Sequence, residues 1–221
     1  MFGQIFNPEN GFFRMVDKVA DFLGLSVLCL LCSLPLFTLG PAVAALYYST
    51  VKCLRRGERH PYGSFFTAFK QNFRTGAVLS LILLPVLVLL VCGYNVLVGA
   101  VNAGAAWAAG MLAAYVVAAV LPLAIFFLMF PLISRFTYGV GGALKAAFQM
   151  TVRHLPVMVV LVVLNGGILL LTARYALLLL PLLVAPGLGA LLSSFLLEPV
   201  FKKYTPAAED VDPENRPWYL K

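Results

Sequence analysis

The stretch Gly76-Ala-Val-Leu-Ser-Leu-Ile-Leu-Leu-Pro-Val-Leu-Val-Leu-Leu-Val-Cys-Gly-Tyr-Asn-Val-Leu-Val-Gly99 runs for 24 residues without one Asp, Glu, Lys, Arg or His. A helix rises about 1.5 Å per residue, so roughly 20 apolar residues cross the ~30 Å hydrocarbon layer of a bilayer. Residues 107–134, 155–172 and 175–197 repeat the pattern, the last two separated by Arg174. Apolar residues make up 62% of the 221-residue chain and charged ones 11%, against about 45–50% and about 25% in soluble domains. A soluble fold of this size cannot hide so much apolar surface, and lipid must cover the rest. The expected fold is all-α, a polytopic membrane helix bundle.

Upstream, residues 22–51 form an apolar run broken by Pro35 and by Gly40–Pro41. Thirty residues exceed one span and fall short of two. Because proline removes a donor and disfavours helix in the residue before it, a break is expected near residues 38–41. One helix then rises from about Asp17, and a shorter one returns to about Leu54, starting part-way through the bilayer. One long kinked helix is the alternative. Residues 1–21 carry Arg14, Asp17, Lys18 and Asp21 among Phe12, Phe13, Val16 and Val19, a pattern for a surface amphipathic helix rather than a cleavable signal peptide.

Two further stretches predict cytoplasmic interfacial helices. In the first, Phe65, Phe66, Phe69 and Phe73 share a helical stripe, with Lys70, Gln71 and Arg74 off it. The second, residues 141–154, carries Leu144, Phe148 and Arg153. Residues 63–74 and 142–153 align at a constant offset of 79, with Gly, Ala, Phe and Arg coinciding. A parallel internal repeat over about 41–99 and 120–173 is one reading; two interfacial helices built to the same physical recipe is the other. Residues 1–204 read as one transmembrane domain. Residues 205–221, with Glu209, Asp210, Asp212, Glu214 and three prolines, read as a cytoplasmic tail.

The net charge is +7, from 16 Lys and Arg against 9 Asp and Glu. The basic residues sit between the apolar runs, where the positive-inside rule accounts for them without nucleic acid. With about six segments and an inside N-terminus, fifteen of the sixteen fall on the cytoplasmic side, and Arg174 alone lies outside. Five passes would split them thirteen to three. Both termini are therefore expected in the cytoplasm.

The candidate chemistry is sparse. Residues 23–51, 75–134, 155–173 and 175–197 hold no ionisable Asp, Glu, Lys, Arg or His, the groups on which proton and ion relays rest. No catalytic residue, metal ligand or cofactor is expected. Cys29 and Cys32 form a C-x-x-C on an apolar helix and read as small hydrophobes. Asn165 reads as a helix-packing residue that bonds a neighbouring span, a contact worth about 1 kcal/mol. Ala106, Gly110, Ala114 and Ala118 recur every four residues, a small-residue face that packs inside the bundle or against another subunit. Trp107, Tyr94 and Tyr175 fit an interfacial aromatic belt. The outer connection, residues 100–106, is too short to recognise a large solute.

The run Ser33-Leu-Pro-Leu-Phe-Thr-Leu-Gly-Pro-Ala-Val-Ala-Ala-Leu-Tyr-Tyr48, with the basic loop and Phe65-Phe-Thr-Ala-Phe-Lys-Gln-Asn-Phe-Arg74 after it, resembles the YesL-like family of small bacterial membrane proteins. Their function is uncharacterised, and they are typically encoded beside carbohydrate ABC importers in Gram-positive bacteria. The resemblance is strongest over residues 10–80. It implies a setting in the bacterial plasma membrane and in oligosaccharide uptake. The expected role is an accessory subunit that packs against or modulates importer permease subunits. Phe65, Phe69, Phe73, Arg74, Leu144, Phe148 and Arg153 are its candidate contact residues. A stand-alone small-solute channel or facilitator, self-associating, is the alternative, and a membrane-bound enzyme is poorly supported.

The charge distribution makes one direct prediction. Topology reporters fused after Lys221 and within residues 100–106 should lie on opposite sides of the membrane, the first in the cytoplasm; a common side for both would overturn the arrangement.

Overall fold

The computed structural model describes residues 11–58, 60–175 and 179–205. Among these residues there are seven α-helices. They are α1 (Gly11–Cys32), α2 (Leu39–Ser49), α3 (Pro61–Asn102), α4 (Ala108–Arg135), α5 (Val140–Arg153), α6 (Leu155–Arg174) and α7 (Leu179–Lys202). The expected surface residues 1–10 and, beyond Thr205, the acidic tail lie outside the described residues.

Four helices, α3, α4, α6 and α7, are long and apolar enough to cross a membrane. The all-α membrane bundle expected from the sequence is thus present in outline, with four candidate spans among the described residues where about six segments were expected. α1 carries Arg14, Asp17, Lys18 and Asp21 in its first half, so the amphipathic entry and the first apolar run are one continuous helix. α2 has only 11 residues and extends as a π-helix over Thr50–Arg55.

α2 sits at the centre of the bundle, in contact with α1, α3, α4 and α7. A helix that is apolar and small on every side belongs in an interior, and here Ala42, Ala44 and Ala45 are fully buried with Leu46, Tyr47 and Val51. The break before it falls at 33–38, slightly earlier than the proline positions predicted. There Pro35 precedes a 3₁₀ turn over Leu36–Thr38, and the Thr38 hydroxyl donates to the carbonyls of Cys32 and Pro35, both at 2.6 Å.

A helix that begins inside hydrocarbon must satisfy its first N–H groups without water. The Leu39 amide donates to the Leu36 carbonyl. The Gly40 amide donates to Ser80 Oγ at 2.8 Å, and that hydroxyl donates to the Gly76 carbonyl at 2.9 Å. Pro41, next in line, has no N–H to satisfy. Close approach makes this relay possible. A Cβ at Gly40 would collide with the Gly76 carbonyl, Ser80 Oγ and the Phe130 ring, and one at Gly76 would stand 2.8 Å from Pro41 N.

α3 corrects the expectation of a separate interfacial helix. Residues 63–74 are the first part of a single 42-residue helix, about 63 Å long at 1.5 Å per residue. Nothing between Phe73 and Gly76 breaks it. At the matching position of the second stretch, Pro156 stands where α3 has Ala77. Proline within a helix interior costs the hydrogen bond to the carbonyl four residues earlier. The chain therefore stops at His154 (φ −125°, ψ 39°) and restarts as α6 with proline in the first turn, which leaves α5 separate. At the offset of 79, Ala68 and Ala147 are both fully buried.

The small-residue face of α4 does not pack inside the bundle of the single chain. Ala106, Gly110, Ala114 and Ala118 are all exposed on the single chain, and a Cβ at Gly110 would meet open space. α4 turns its other side to α3, where Tyr115 rests on Gly93 and donates its hydroxyl to the Leu90 carbonyl at 2.8 Å.

The crossing of α2 and α3 is testable by overpacking, which typically costs about 1–3 kcal/mol. Gly40→Ala and Gly76→Ala should each lower the thermal midpoint of the detergent-purified protein, whereas Gly110→Ala should leave stability within about 0.5 kcal/mol. Equal midpoints for all three would remove the crossing from the structure's essential contacts.

Candidate functional site

The polar chemistry of the bundle gathers at one end, around the C-termini of α2, α4 and α7. Arg135, the last residue of α4, pairs with Glu198 of α7, and their side chains are only 1% and 6% exposed. Glu198 Oε2 takes the Arg135 contact, and Oε1 accepts from the Tyr47 hydroxyl of α2 at 3.2 Å. Aromatic rings close over the cation, with Phe201 5.5 Å and Phe136 6.0 Å from the guanidinium carbon. A buried charge needs a partner and hydrogen bonds on its remaining atoms, and this network supplies both to Glu198. It ties three helices far apart in sequence.

Nearby, Arg55 at the end of the π-helical extension donates to the Ser194 carbonyl at 2.8 Å and reaches Ser194 Oγ at 3.3 Å. Its guanidinium carbon lies 4.4 Å from the centre of the Phe195 ring, a cation–π distance. His154 Nε2 and the Tyr204 hydroxyl are 3.2 Å apart, joining the α5–α6 junction to the end of α7.

Tyr47 and Glu198 stand between two spaces. On the side of Tyr47 lies a cavity of about 360 Å³ walled by α1, α2, α3, α4, α6 and α7, with Cys29, Leu87, Phe126 and Ala190 on its surface. Its lining is overwhelmingly apolar. Asn165 and Ser193 are its main polar pair: Asn165 Nδ2 donates to Ser193 Oγ at 2.9 Å and to the Leu161 carbonyl at 3.0 Å. Asn165 therefore bridges α6 to α7 and also lines the cavity. On the side of Glu198 lies a smaller cleft of about 200 Å³, lined by Val51, Arg55, Arg56, Glu198, Pro199 and Lys202.

The residues expected to meet a partner divide. Phe65 is fully buried, in a cluster with Leu25, Ala42, Ala45 and Leu46, so it belongs to the interior and to no free surface. Phe69 is half-buried, stacked on Phe65 at 6.2 Å and edge-on to Phe73 at 5.6 Å. Phe73 and Arg74 are exposed, as is Phe66 beside them. On α5, Leu144 is half-buried, while Phe148 and Arg153 are exposed. The α5 face that packs inward is Ala143, Ala147 and Met150.

The Arg135–Glu198–Tyr47 network was not legible as a unit. Each charge lies one residue beyond a charge-free run, Arg135 after residue 134 and Glu198 after residue 197. The available signal was an acidic residue at the end of an apolar helix in a chain with few others. Among the described residues, no three His, Cys, Asp or Glu side chains come together as a metal site.

Residues 22–94, about a third of the chain, match the model of a family described as "Protein of unknown function, DUF624", the family in which YesL-like proteins fall. The matched stretch takes in the second half of α1, the whole of α2 and most of α3, hence the Gly40–Ser80–Gly76 crossing. No curated protein and no solved structure matches this chain.

Removing one partner of a buried ion pair typically costs about 3–5 kcal/mol, whereas replacing both by apolar groups is often nearly neutral. Arg135→Met and Glu198→Leu should each lower the thermal midpoint sharply, and the double variant should recover most of the loss. Additive losses would show that the two side chains do not act as a pair.

Proposed function

We propose that this chain is a non-catalytic accessory subunit of the bacterial plasma membrane that packs against the permease subunits of a carbohydrate ABC importer. The observation that carries this reading is the shape of α3. Residues 76–99 account for about 36 Å, enough to cross the hydrocarbon by themselves, and residues 61–75 add about 22 Å at the basic end. Phe66 and Phe73 are exposed on that extension at 47% and 40%, and Phe148 is exposed at 51% on α5, which touches α3. A helix lying in the interface would bury such rings in lipid. A helix that continues out of the bilayer holds them where a protein partner can cover them. Arg74 and Arg153 flank this surface, and the positive-inside rule puts it in the cytoplasm. At the opposite end the described connections are short, the break at 33–38 between α1 and α2 and the turn between α3 and α4.

The cavity of about 360 Å³ favours a second reading, a small-solute facilitator. Its apolar lining is poorly suited to a sugar, whose hydroxyls need hydrogen-bonding partners once desolvated.

Purification from the native host in mild detergent separates the two. The accessory role predicts stoichiometric permease subunits in the preparation, reduced at least several-fold by Phe73→Ala with Phe148→Ala while expression and insertion hold. A homogeneous self-oligomer that passes small solutes in liposomes would replace it with the facilitator.

A further inference from the structure

We propose that the central cavity is a binding site for one acyl chain of a membrane phospholipid, which enters sideways between α6 and α7. The cavity holds about 360 Å³, near the small end of the ~300–1,000 Å³ range of ligand sites. It follows α7 from Leu182 to Ser193, a stretch of about 16 Å at 1.5 Å per residue. Among the described residues that line it, none is charged. The hydroxyl and amide groups on its wall already have partners. Ser33 donates to the Leu30 carbonyl at 2.9 Å, and Thr172 to the Ile168 carbonyl at 2.7 Å. Tyr47 is turned to Glu198, and Asn165 is bonded to Ser193. A polar solute would give up its hydration for little in return. A space of this kind stays dry, yet left empty it forfeits dispersion contacts all along its wall. An apolar occupant answers both conditions, and hydrocarbon chains surround the bundle.

The wall is open where lipid can reach it. Leu169 of α6 and Leu182 of α7 line the cavity, yet they are exposed at 56% and 40%. Both lie near where α6 ends and α7 begins. Further along the same two helices the Asn165–Ser193 bond draws them together, and a Cβ at Gly189 would stand 3.1 Å from Asn165 Oδ1. The gap between α6 and α7 therefore narrows inward and widens towards their junction. Such a slot admits one chain end-on while the head group and the second chain stay in the bilayer. This property stands whether or not the protein partners an importer.

The test is photolabelling of the full chain in phosphatidylcholine liposomes. One arm carries a phosphatidylcholine with a diazirine in its acyl chain, the other a free fatty acid bearing the same group. The phospholipid should label Gly189 and Ala185 inside the cavity as well as the lipid-facing Val163 and Leu170. Ala185→Phe and Ile168→Phe, which fill the cavity from two different helices, should each cut labelling at Gly189 several-fold and leave Val163 and Leu170 unchanged. Labelling at Gly189 by the fatty acid alone would overturn the phospholipid assignment. Labels confined to Val163, Leu170 and other outward residues in both arms, or undiminished at Gly189 in both variants, would overturn the site itself.

Discussion

A helix that starts among apolar side chains needs something to receive its first amides, and α2 starts there, with Gly40, Pro41 and Ala42 buried. Ser80 meets that requirement by taking the Gly40 amide and passing its own proton to the Gly76 carbonyl. An unsatisfied amide in lipid costs several kcal/mol, more than any single apolar contact around it returns. Two glycines follow from this. A side chain at either Gly40 or Gly76 would hold the helices apart and leave the amide stranded. With α2 anchored against α3, its buried surface, small at Ala42, Ala44 and Ala45 and bulky at Leu46 and Tyr47, becomes the hub on which α1, α4 and α7 pack.

The far end of α2 meets the opposite problem, charge rather than backbone. Arg135 and Glu198 are buried together, and Tyr47 closes the second carboxylate oxygen. The pair binds the ends of α4 and α7 to the hub, so the same short helix is held at its start by a backbone relay and lower down by an ionic one. Because Tyr47 also faces the central cavity, that network separates an apolar chamber from a basic cleft.

Much of the fold was legible because hydrocarbon imposes a simple rule on composition. Charge-free runs of about 20 residues announced the long helices, and Pro35 with Gly40–Pro41 announced a short second one. Local signals failed where tertiary placement decides. Phe65 and Phe73 share a stripe in sequence, yet Leu25, Ala42 and Ala45 reach only the first of them. Residues 63–74 and 142–153 look alike, but the first runs on into the following helix while the second stops at His154, ahead of Pro156 in the first turn of α6. The close approach of α3 and α4 is made by Gly93 beneath Tyr115, a pairing that no spacing in either helix announces. In the site, Asn165 was visible because a lone amide in an apolar run stands out. Glu198 was not, because it sits where an apolar run is ending and a charge is unremarkable.

Among the described residues, most of the ionic and hydrogen-bonding contacts between helices lie at one end. Arg55, Arg135, Glu198 and the α5 junction cluster there, and the extension of α3 beyond its apolar run is at that end as well. The other end carries Arg174, the break at 33–38 and the turn between α3 and α4. A carrier that alternates its access needs polar groups at both mouths and along the path between them. Here the path is lined by leucine, phenylalanine and alanine, with Asn165 and Ser193 engaged mainly with one another. A protein that acts by being held against a neighbour has no such need. It requires a stable body in the membrane and a surface on one side of it, and the proposed accessory role draws on the division between an apolar body and a basic, aromatic end.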